Sequence, residues 1–170
     1  MRIIIGASKP KCWKPGALAI MWWENTSASH VYTKIEVLPG LWVVFQAVGS
    51  GTEFCNLEYF KNHAVVVYEK EIEITELQFN RIMIGAVRLL KSKYSVKHLA
   101  GLFYKRFVQY VFHKIIKVPF ANDGKSEVCV QAMVSLVDSA EIKRDAEDPN
   151  DMGMFEAMEL LKAIPGKELV

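Results

Sequence analysis

Segments with the character of β-strands occupy the first 70 residues of the chain, and helical periodicity begins only after them. Four short runs rich in β-branched and aromatic residues are separated by Gly, Pro, Asn or Ser, a pattern typical of strands and their connections. These runs are residues 17–23, 31–38, 41–48 and 64–69. Strands followed by helices favour an α+β domain with an antiparallel sheet over a parallel, doubly wound sheet.

Apolar residues at helical spacing dominate the second part of the chain. Thr75 and Gln78 have the spacing of a capping box, which predicts a helix from residue 75 to about 91. Residues 94–118 form a basic, aromatic amphipathic segment. For this segment a core-packing face is favoured over a lipid- or substrate-binding face, because apolar faces usually serve packing. Two further helices are predicted, at residues 127–138 and 152–164.

The composition predicts one domain over residues 1–170 and does not indicate a particular binding partner. About half of the residues are hydrophobic, enough for a substantial core in a chain of 170 residues. Lys and Arg exceed Asp and Glu by only two, 21 against 19, so nucleic acid is not an expected partner. No glycine-rich phosphate loop is present, and no cofactor or metal is predicted.

The three cysteines, Cys12, Cys55 and Cys129, predict reduced thiols rather than a disulfide framework. Their number is odd, and no two of them have the short spacing of a metal-ligand pair. The apolar run within residues 1–7 is too short for a signal-peptide core. We therefore expect a cytoplasmic location, or a virion or host cell for a phage-encoded chain.

Cys129 is the candidate nucleophile. Counted from Ser126 as the N-cap, it lies in the first turn of a helix, where free amides and the helix dipole lower the pKa of a thiol. The same amides can bind a developing oxyanion. The alternative is that Cys129 is a small buried residue on the apolar face of its helix. Cys12 and Cys55 occupy loop-like surroundings and are poorer candidates.

His30 is the candidate base, and Gln46 the group that orients it. His30 begins a strand in which Val31, Ile35 and Val37 alternate to the opposite, apolar face. Gln46 is the odd polar residue of the next strand. A tight two-residue turn at residues 39–40 turns Gln46 away from His30, whereas a three-residue loop or a bulge restores one shared face. We therefore predict a hairpin that is not a tight two-residue one.

The order of these pieces resembles the circularly permuted papain-like amidases related to the NlpC peptidases, a group that includes YiiX-like proteins and lecithin retinol acyltransferase relatives. The resemblance runs from about residue 15 to the final helix and rests on ordered spacing. The matching landmarks are Pro15-Gly16, Ser29-His30-Val31, Phe45-Gln46-Ala47, Lys93-Tyr94-Ser95 and Val128-Cys129-Val130-Gln131.

The resemblance implies a papain-like sheet packed on the Cys129 helix, thiolate attack on an acyl carbon, and an acyl-enzyme that is hydrolysed or transferred. His30 shuttles the proton in that scheme. The function implied is an amidase or peptidase acting on a peptide, isopeptide or peptidoglycan-like substrate. A thioesterase or acyltransferase acting on lipid acyl groups is the first alternative.

The chain departs from the family pattern in three places. The family commonly has Gly-Asp where this chain has Gly16-Ala17, an acidic residue at Gln46, and Cys-Ser-Glu at residues 129–131. These departures are compatible with a catalytically weakened or inactive form. The second alternative, from a different class, is therefore a phage-encoded binding or assembly protein that keeps the fold without catalysis.

Overall fold

The computed structural model describes residues 1–90, 92–113, 117, 126–127, 129–142 and 152–170, and it has the predicted α+β architecture. The strands are β1 (Arg2–Pro10), β2 (His30–Leu38), β3 (Leu41–Val48), β4 (Gly51–Asn56), β5 (Ala64–Glu73), β6 (Lys93–Tyr94), β7 (Ser126–Glu127) and β8 (Lys167–Glu168). The helices are α1 (Pro15–Glu24), α2 (Leu57–His63), α3 (Glu76–Leu89), α4 (Val96–Phe112), α5 (Cys129–Ser139) and α6 (Met154–Ala163).

Six strands form one antiparallel sheet in the order β4-β3-β2-β1-β5-β8. Strands β6 and β7 form a separate short parallel pair. Helix α5 packs on β2 and β3, and α3 packs on α5. The predicted arrangement of an antiparallel sheet against the Cys129 helix is therefore confirmed at this level.

The two faces of the sheet are covered differently. The core face carries the main hydrophobic cluster, in which Val31, Ile35 and Phe45 of the sheet meet Met133 and Val134 of α5. The opposite face, here called the α2 face, carries a smaller cluster of Tyr32, Val44 and Phe60. Because side chains alternate along a strand, His30, Tyr32 and Lys34 of β2 share the α2 face.

The sequence interpretation was wrong about residues 17–23, which lie in helix α1 rather than in a strand. Pro15 occupies the first turn of that helix, where proline is favoured, and Ala, Leu and Met within it are good helix formers. The helix ends at Asn25, which adopts a left-handed conformation with φ 52°. The first strand is instead β1, whose Ile3 and Ile5 are fully buried between β2 and β5.

The other strand and helix predictions correspond to elements of the structure. Residues 31–38, 41–48 and 64–69 lie in β2, β3 and β5, and residues 75–91 correspond to α3. The capping box between Thr75 and Gln78 is present. Residues 94–118 contain α4, and the last two predicted helices are α5 and α6. Predicted features at residues 123–124 and 143–151 lie outside the described residues.

Helix α4 is only partly a core helix. Leu102 and Val108 are buried, but Tyr110 remains 83% exposed beside α1, where Trp22 is 78% exposed. The expectation that the apolar face of this segment serves packing therefore holds for part of its length. No helix in the described residues is both long enough and apolar enough to cross a membrane.

Candidate active site

A bulge in the β2–β3 hairpin places Gln46 on the same face as His30. The connection is a two-residue one, Pro39-Gly40, between the paired residues Leu38 and Leu41, so the predicted longer loop is wrong. Gly40 has φ 78°, which suits a tight turn. The register shifts between Glu36 and Leu38, and this bulge pairs Gln46 with Tyr32 instead of Thr33. The alternative route to a shared face, a bulge, is the one that the structure uses.

The imidazole of His30 is held by Gln46 in one orientation. His30 Nε2 lies 3.1 Å from Gln46 Oε1. The amide nitrogen of Gln46 donates to Glu53 Oε1 at 3.1 Å and to Cys55 Sγ at 3.5 Å, so its oxygen faces His30. An amide oxygen only accepts, and Nε2 therefore carries the proton. Nδ1 is left with its lone pair and has no hydrogen-bond partner among the described residues.

His30 and Gln46 border a pocket of about 460 Å³ on the α2 face. Its walls come from α1, α2 and the ends of β1 to β5, and they combine apolar surface with both signs of charge. The charged and titratable lining residues are Lys9, Lys14, His30, Glu53, Tyr59 and His63. The pocket is thus a concave, mixed surface of the size that binds a small substrate or the end of a longer one.

Burial keeps His30 neutral at physiological pH. It lowers the pKa of His30 from 6.5 to about 4, and the positive charge of Lys14 acts in the same direction. The hydrogen bond to Gln46 opposes this shift but does not cancel it. A carboxylate in the place of Gln46 stabilises an imidazolium, whereas an amide does so only weakly.

Cys129 begins α5, as predicted, but its sulfur lies in the core. The residue is 7% exposed and belongs to the main hydrophobic cluster. Burial raises the pKa of the Cys129 thiol, whereas hydrogen bonds from the backbone amides of Val31, Val130 and Cys129 itself act to lower it. The predicted lowering of this pKa by the helix start is therefore outweighed by loss of solvent. Ser126 lies in β7 and is not the N-cap.

The structure brings His30 and Gln46 together on the α2 face but places the side chain of Cys129 in the hydrophobic cluster of the core face. The Cys129 sulfur meets the amide of Val31, the residue after His30, where the β2–β3 register ends. Among the described residues, no hydrogen bond joins this sulfur to His30, and Cys129 is not among the described lining of the pocket. The resting site thus holds a neutral thiol and a neutral imidazole, with no pre-formed ion pair.

The sequence interpretation missed Glu53 and was wrong to place Cys55 in loop-like surroundings. Both lie on β4, which pairs with β3 so that Glu53 is directly opposite Gln46. The signal was present in Gly49-Ser50, a two-residue turn that determines this register. Burial, with a contribution from Glu53, raises the pKa of Cys55 to about 11, which makes it a poor nucleophile as expected.

No protein-family model matches this chain, and no curated protein matches it either. The evidence for the α+β fold and for the contacts of the site therefore comes from the structure alone. The resemblance to permuted papain-like amidases stays a prediction.

Proposed function

We propose that the chain is a cysteine hydrolase of the amidase or peptidase type with a circularly permuted papain-like fold. Cys129 is the nucleophile, His30 the base and Gln46 the residue that orients His30. The observation that carries the proposal is the His30–Gln46 hydrogen bond of 3.1 Å, which leaves Nδ1 without a partner among the described residues in a histidine that lines a pocket. A base with one fixed nitrogen and one free nitrogen is the arrangement that general-base catalysis requires.

The backbone around Cys129 supports its role. The backbone amides of Val31, Val130 and Cys129 act to lower the pKa of the thiol and so favour negative charge on the sulfur. Val31 is the chain neighbour of His30, but its side chain lies on the core face and that of His30 on the α2 face, so the proposal requires the start of α5 to move until thiol and imidazole meet at the end of β2. Substrate that fills the pocket supplies the energy for that movement.

In the proposed reaction the Cys129 sulfur attacks the acyl carbon while its proton passes to Nδ1 of His30. The bond from the acyl carbon to the leaving amine breaks, and the amine takes the proton back from Nδ1. Water then attacks the acyl-enzyme, with His30 again as the base, and releases the acid and the thiol. Because both groups start neutral, proton transfer accompanies the attack instead of preceding it.

The substrate in this proposal is a peptide, isopeptide or peptidoglycan-like amide. The pocket carries charges of both signs, including Lys14 and Glu53, which suits a polar, zwitterionic chain better than a plain lipid acyl chain. A thioesterase or acyltransferase acting on lipid acyl groups uses the same covalent steps and is the variant of this proposal.

The test uses a variant with one thiol, Cys12→Ser/Cys55→Ser, in which serine keeps a hydrogen-bond acceptor beside Gln46. With 4-nitrophenyl acetate we expect a burst of nitrophenolate and acetylation of Cys129 detected by mass spectrometry. Adding Cys129→Ala should abolish the burst. Adding His30→Ala should lower kcat/KM by about 10²–10⁴-fold, the usual contribution of a general base. A burst that survives Cys129→Ala would rule out this nucleophile.

The second candidate function is a non-enzymatic binding or assembly role for the same fold. The burial of Cys129 at 7% exposure, with no hydrogen bond to His30 in the described residues, favours it. Alkylation of the wild-type protein by iodoacetamide separates the two candidates. If filling the pocket with an unreactive peptide amide leaves Cys129 alkylating no faster than Cys55, and no acetyl-enzyme forms, the binding role is supported and the hydrolase is not.

A further inference from the structure

Glu53 faces Gln46 across the β3–β4 ladder at the edge of the pocket. The two residues are directly paired, and Gln46 Nε2 donates to Glu53 Oε1 at 3.1 Å. A carboxylate accepts hydrogen bonds and cannot donate them. Glu53 therefore selects one of the two orientations of the Gln46 amide, the one with the nitrogen toward β4 and the oxygen toward His30.

The selected amide orientation in turn selects a tautomer of His30. Gln46 Oε1 lies 3.1 Å from His30 Nε2 and can only accept, so the proton is on Nε2. The reverse orientation presents an amide N–H to Nε2 and favours the proton on Nδ1. The tautomer decides which ring nitrogen is free to take a proton in the pocket.

We propose that Glu53 is a positioning residue that acts through Gln46 to hold His30 in its Nε2–H tautomer. Its catalytic consequence rests on the proposed function, but the effect on the tautomer does not. The arrangement places the carboxylate one residue further from the imidazole than in a direct carboxylate–histidine pair. His30 is oriented as in such a pair but remains neutral, in agreement with its lowered pKa.

Cys55 supports the same amide orientation less strongly. Its sulfur lies 3.5 Å from Gln46 Nε2, and sulfur is a weak acceptor. Glu53 is thus the main determinant, and removal of Cys55 is expected to change the tautomer ratio less than removal of Glu53.

The experiment is nitrogen-15 NMR of the full chain with labelled histidine at pH 7, where the two ring nitrogens report the tautomer. In the Glu53→Gln variant the amide introduced at position 53 can either accept a hydrogen bond from Gln46 or donate one to it. The side-chain amide of Gln46 can therefore adopt both of its orientations. We expect the tautomer ratio of His30 to change by about tenfold, the equivalent of one net hydrogen bond. Glu58→Gln, at an exposed position of α2, is the matched control and should leave the ratio unchanged.

A second variant, Gln46→Glu/Glu53→Gln, exchanges the amide and the carboxylate between the two positions. A carboxylate at position 46 then contacts Nε2–H directly, and the amide introduced at position 53 donates to that carboxylate. We expect the pKa of His30 to rise by about one to three units relative to the wild type. This rise reports the direct contact of the carboxylate at position 46 with Nε2–H, and its absence would contradict the geometry on which the proposal rests.

The outcomes separate this proposal from the hydrolase proposal. An unchanged ratio in Glu53→Gln, with a wild-type backbone spectrum as evidence of folding, overturns the role of Glu53 whether or not the protein hydrolyses 4-nitrophenyl acetate. A changed ratio in Glu53→Gln supports the role of Glu53 even if no acetyl-enzyme forms, and the hydrolase proposal then fails alone.

Discussion

Two polar networks lie side by side on the α2 face of the sheet, and they differ in how completely their groups are paired. The closed network consists of Tyr32, Lys34 and Glu69. The open network consists of His30, Gln46 and Glu53. Positions 30, 32 and 34 of β2 supply both, so within five residues one strand contributes to a fully paired polar cluster and to one that borders a pocket.

The closed network is buried and paired. Lys34 and Glu69 form an ion pair and are 6% and 7% exposed, and the Tyr32 hydroxyl donates to Glu69 Oε1 at 2.5 Å. The ring of Tyr32 packs on Phe60, with ring centroids 4.3 Å apart. Burial, the first cause, and the neighbouring Glu69 carboxylate raise the pKa of Tyr32. These polar groups therefore pair with one another, and none of them is among the described lining of the pocket that His30 borders.

The open network has the same number of side chains but ends at a pocket. His30 lines this pocket together with Gln46 and Glu53, and its Nδ1 has no hydrogen-bond partner among the described residues. Complete pairing of buried polar groups stabilises a fold, whereas pairing that leaves one nitrogen of His30 free is the arrangement that the proposed hydrolase requires. Substitutions in each network, measured against one another, test whether the two really differ in this way.

Lys34→Met should destabilise the protein most. It leaves the Glu69 carboxylate buried without its cation, and breaking a buried ion pair from one side costs about 3–5 kcal/mol. Urea unfolding should show this fall in the free energy of unfolding. The matched control is Lys34→Met/Glu69→Gln, which removes both charges and should recover much of the loss. A cost below about 1 kcal/mol for Lys34→Met shows that the network is not closed.

Tyr32→Phe should cause the second-largest fall in the free energy of unfolding. It removes only the hydroxyl that donates to Glu69 and keeps the ring that packs on Phe60. A hydrogen bond to a charged acceptor contributes about 1.5–3 kcal/mol, and that loss should appear in urea unfolding at pH 7. The control is Tyr59→Phe, on the exposed side of α2. Equal losses in the two variants contradict the special role of the buried hydroxyl.

Most strands and helices of this fold were predictable from single residues and their spacing, but helix α1 was not. Alternation in β2 and β3, and the Thr75–Gln78 capping box, are local signals that the structure follows. Residues 17–23 carry Ala, Leu, Ile and Trp, which suit a strand or a helix equally in isolation. The helical conformation of these residues depends on the helix start at Pro15 and on the packing of α1 against α4 and α6.

The proximity of His30 and Gln46 was predictable from the sequence, but the route to it and the burial of Cys129 were not. His30 and Gln46 share a face because of an extra residue at Val37, and no turn signal in Pro39-Gly40 announces that bulge. The burial of Cys129 depends on how α5 packs on β2 and β3, a long-range contact that helix position alone does not determine. For that reason a helix start predicted a lowered thiol pKa where burial raises it.

The lowered pKa of His30 predicts that acid destabilises the folded protein. The pKa of His30 is about 4 in the folded protein and near 6.5 in the unfolded chain. Between these values only the unfolded state binds the proton, so stability falls as pH falls from 6.5 to 4 and this contribution is intact above 6.5. Relative to His30→Asn, the wild type should lose up to about 1.4 kcal/mol per pH unit in this window. Urea unfolding at several pH values measures the difference, and parallel profiles for the two proteins contradict the buried, neutral imidazole.

Gln46→Leu should cost the least stability, although it removes the centre of the open network. The leucine fills a similar volume, and the two groups that lose a partner, His30 and Glu53, line the pocket, where water can replace the amide. We expect the free energy of unfolding to fall by about 1 kcal/mol. The same variant should impair 4-nitrophenyl acetate hydrolysis far more than stability, because water does not fix the His30 tautomer. A loss as large as that of Lys34→Met would mean that the Gln46 amide is a structural group like those of the closed network, and the distinction between the two networks would not hold.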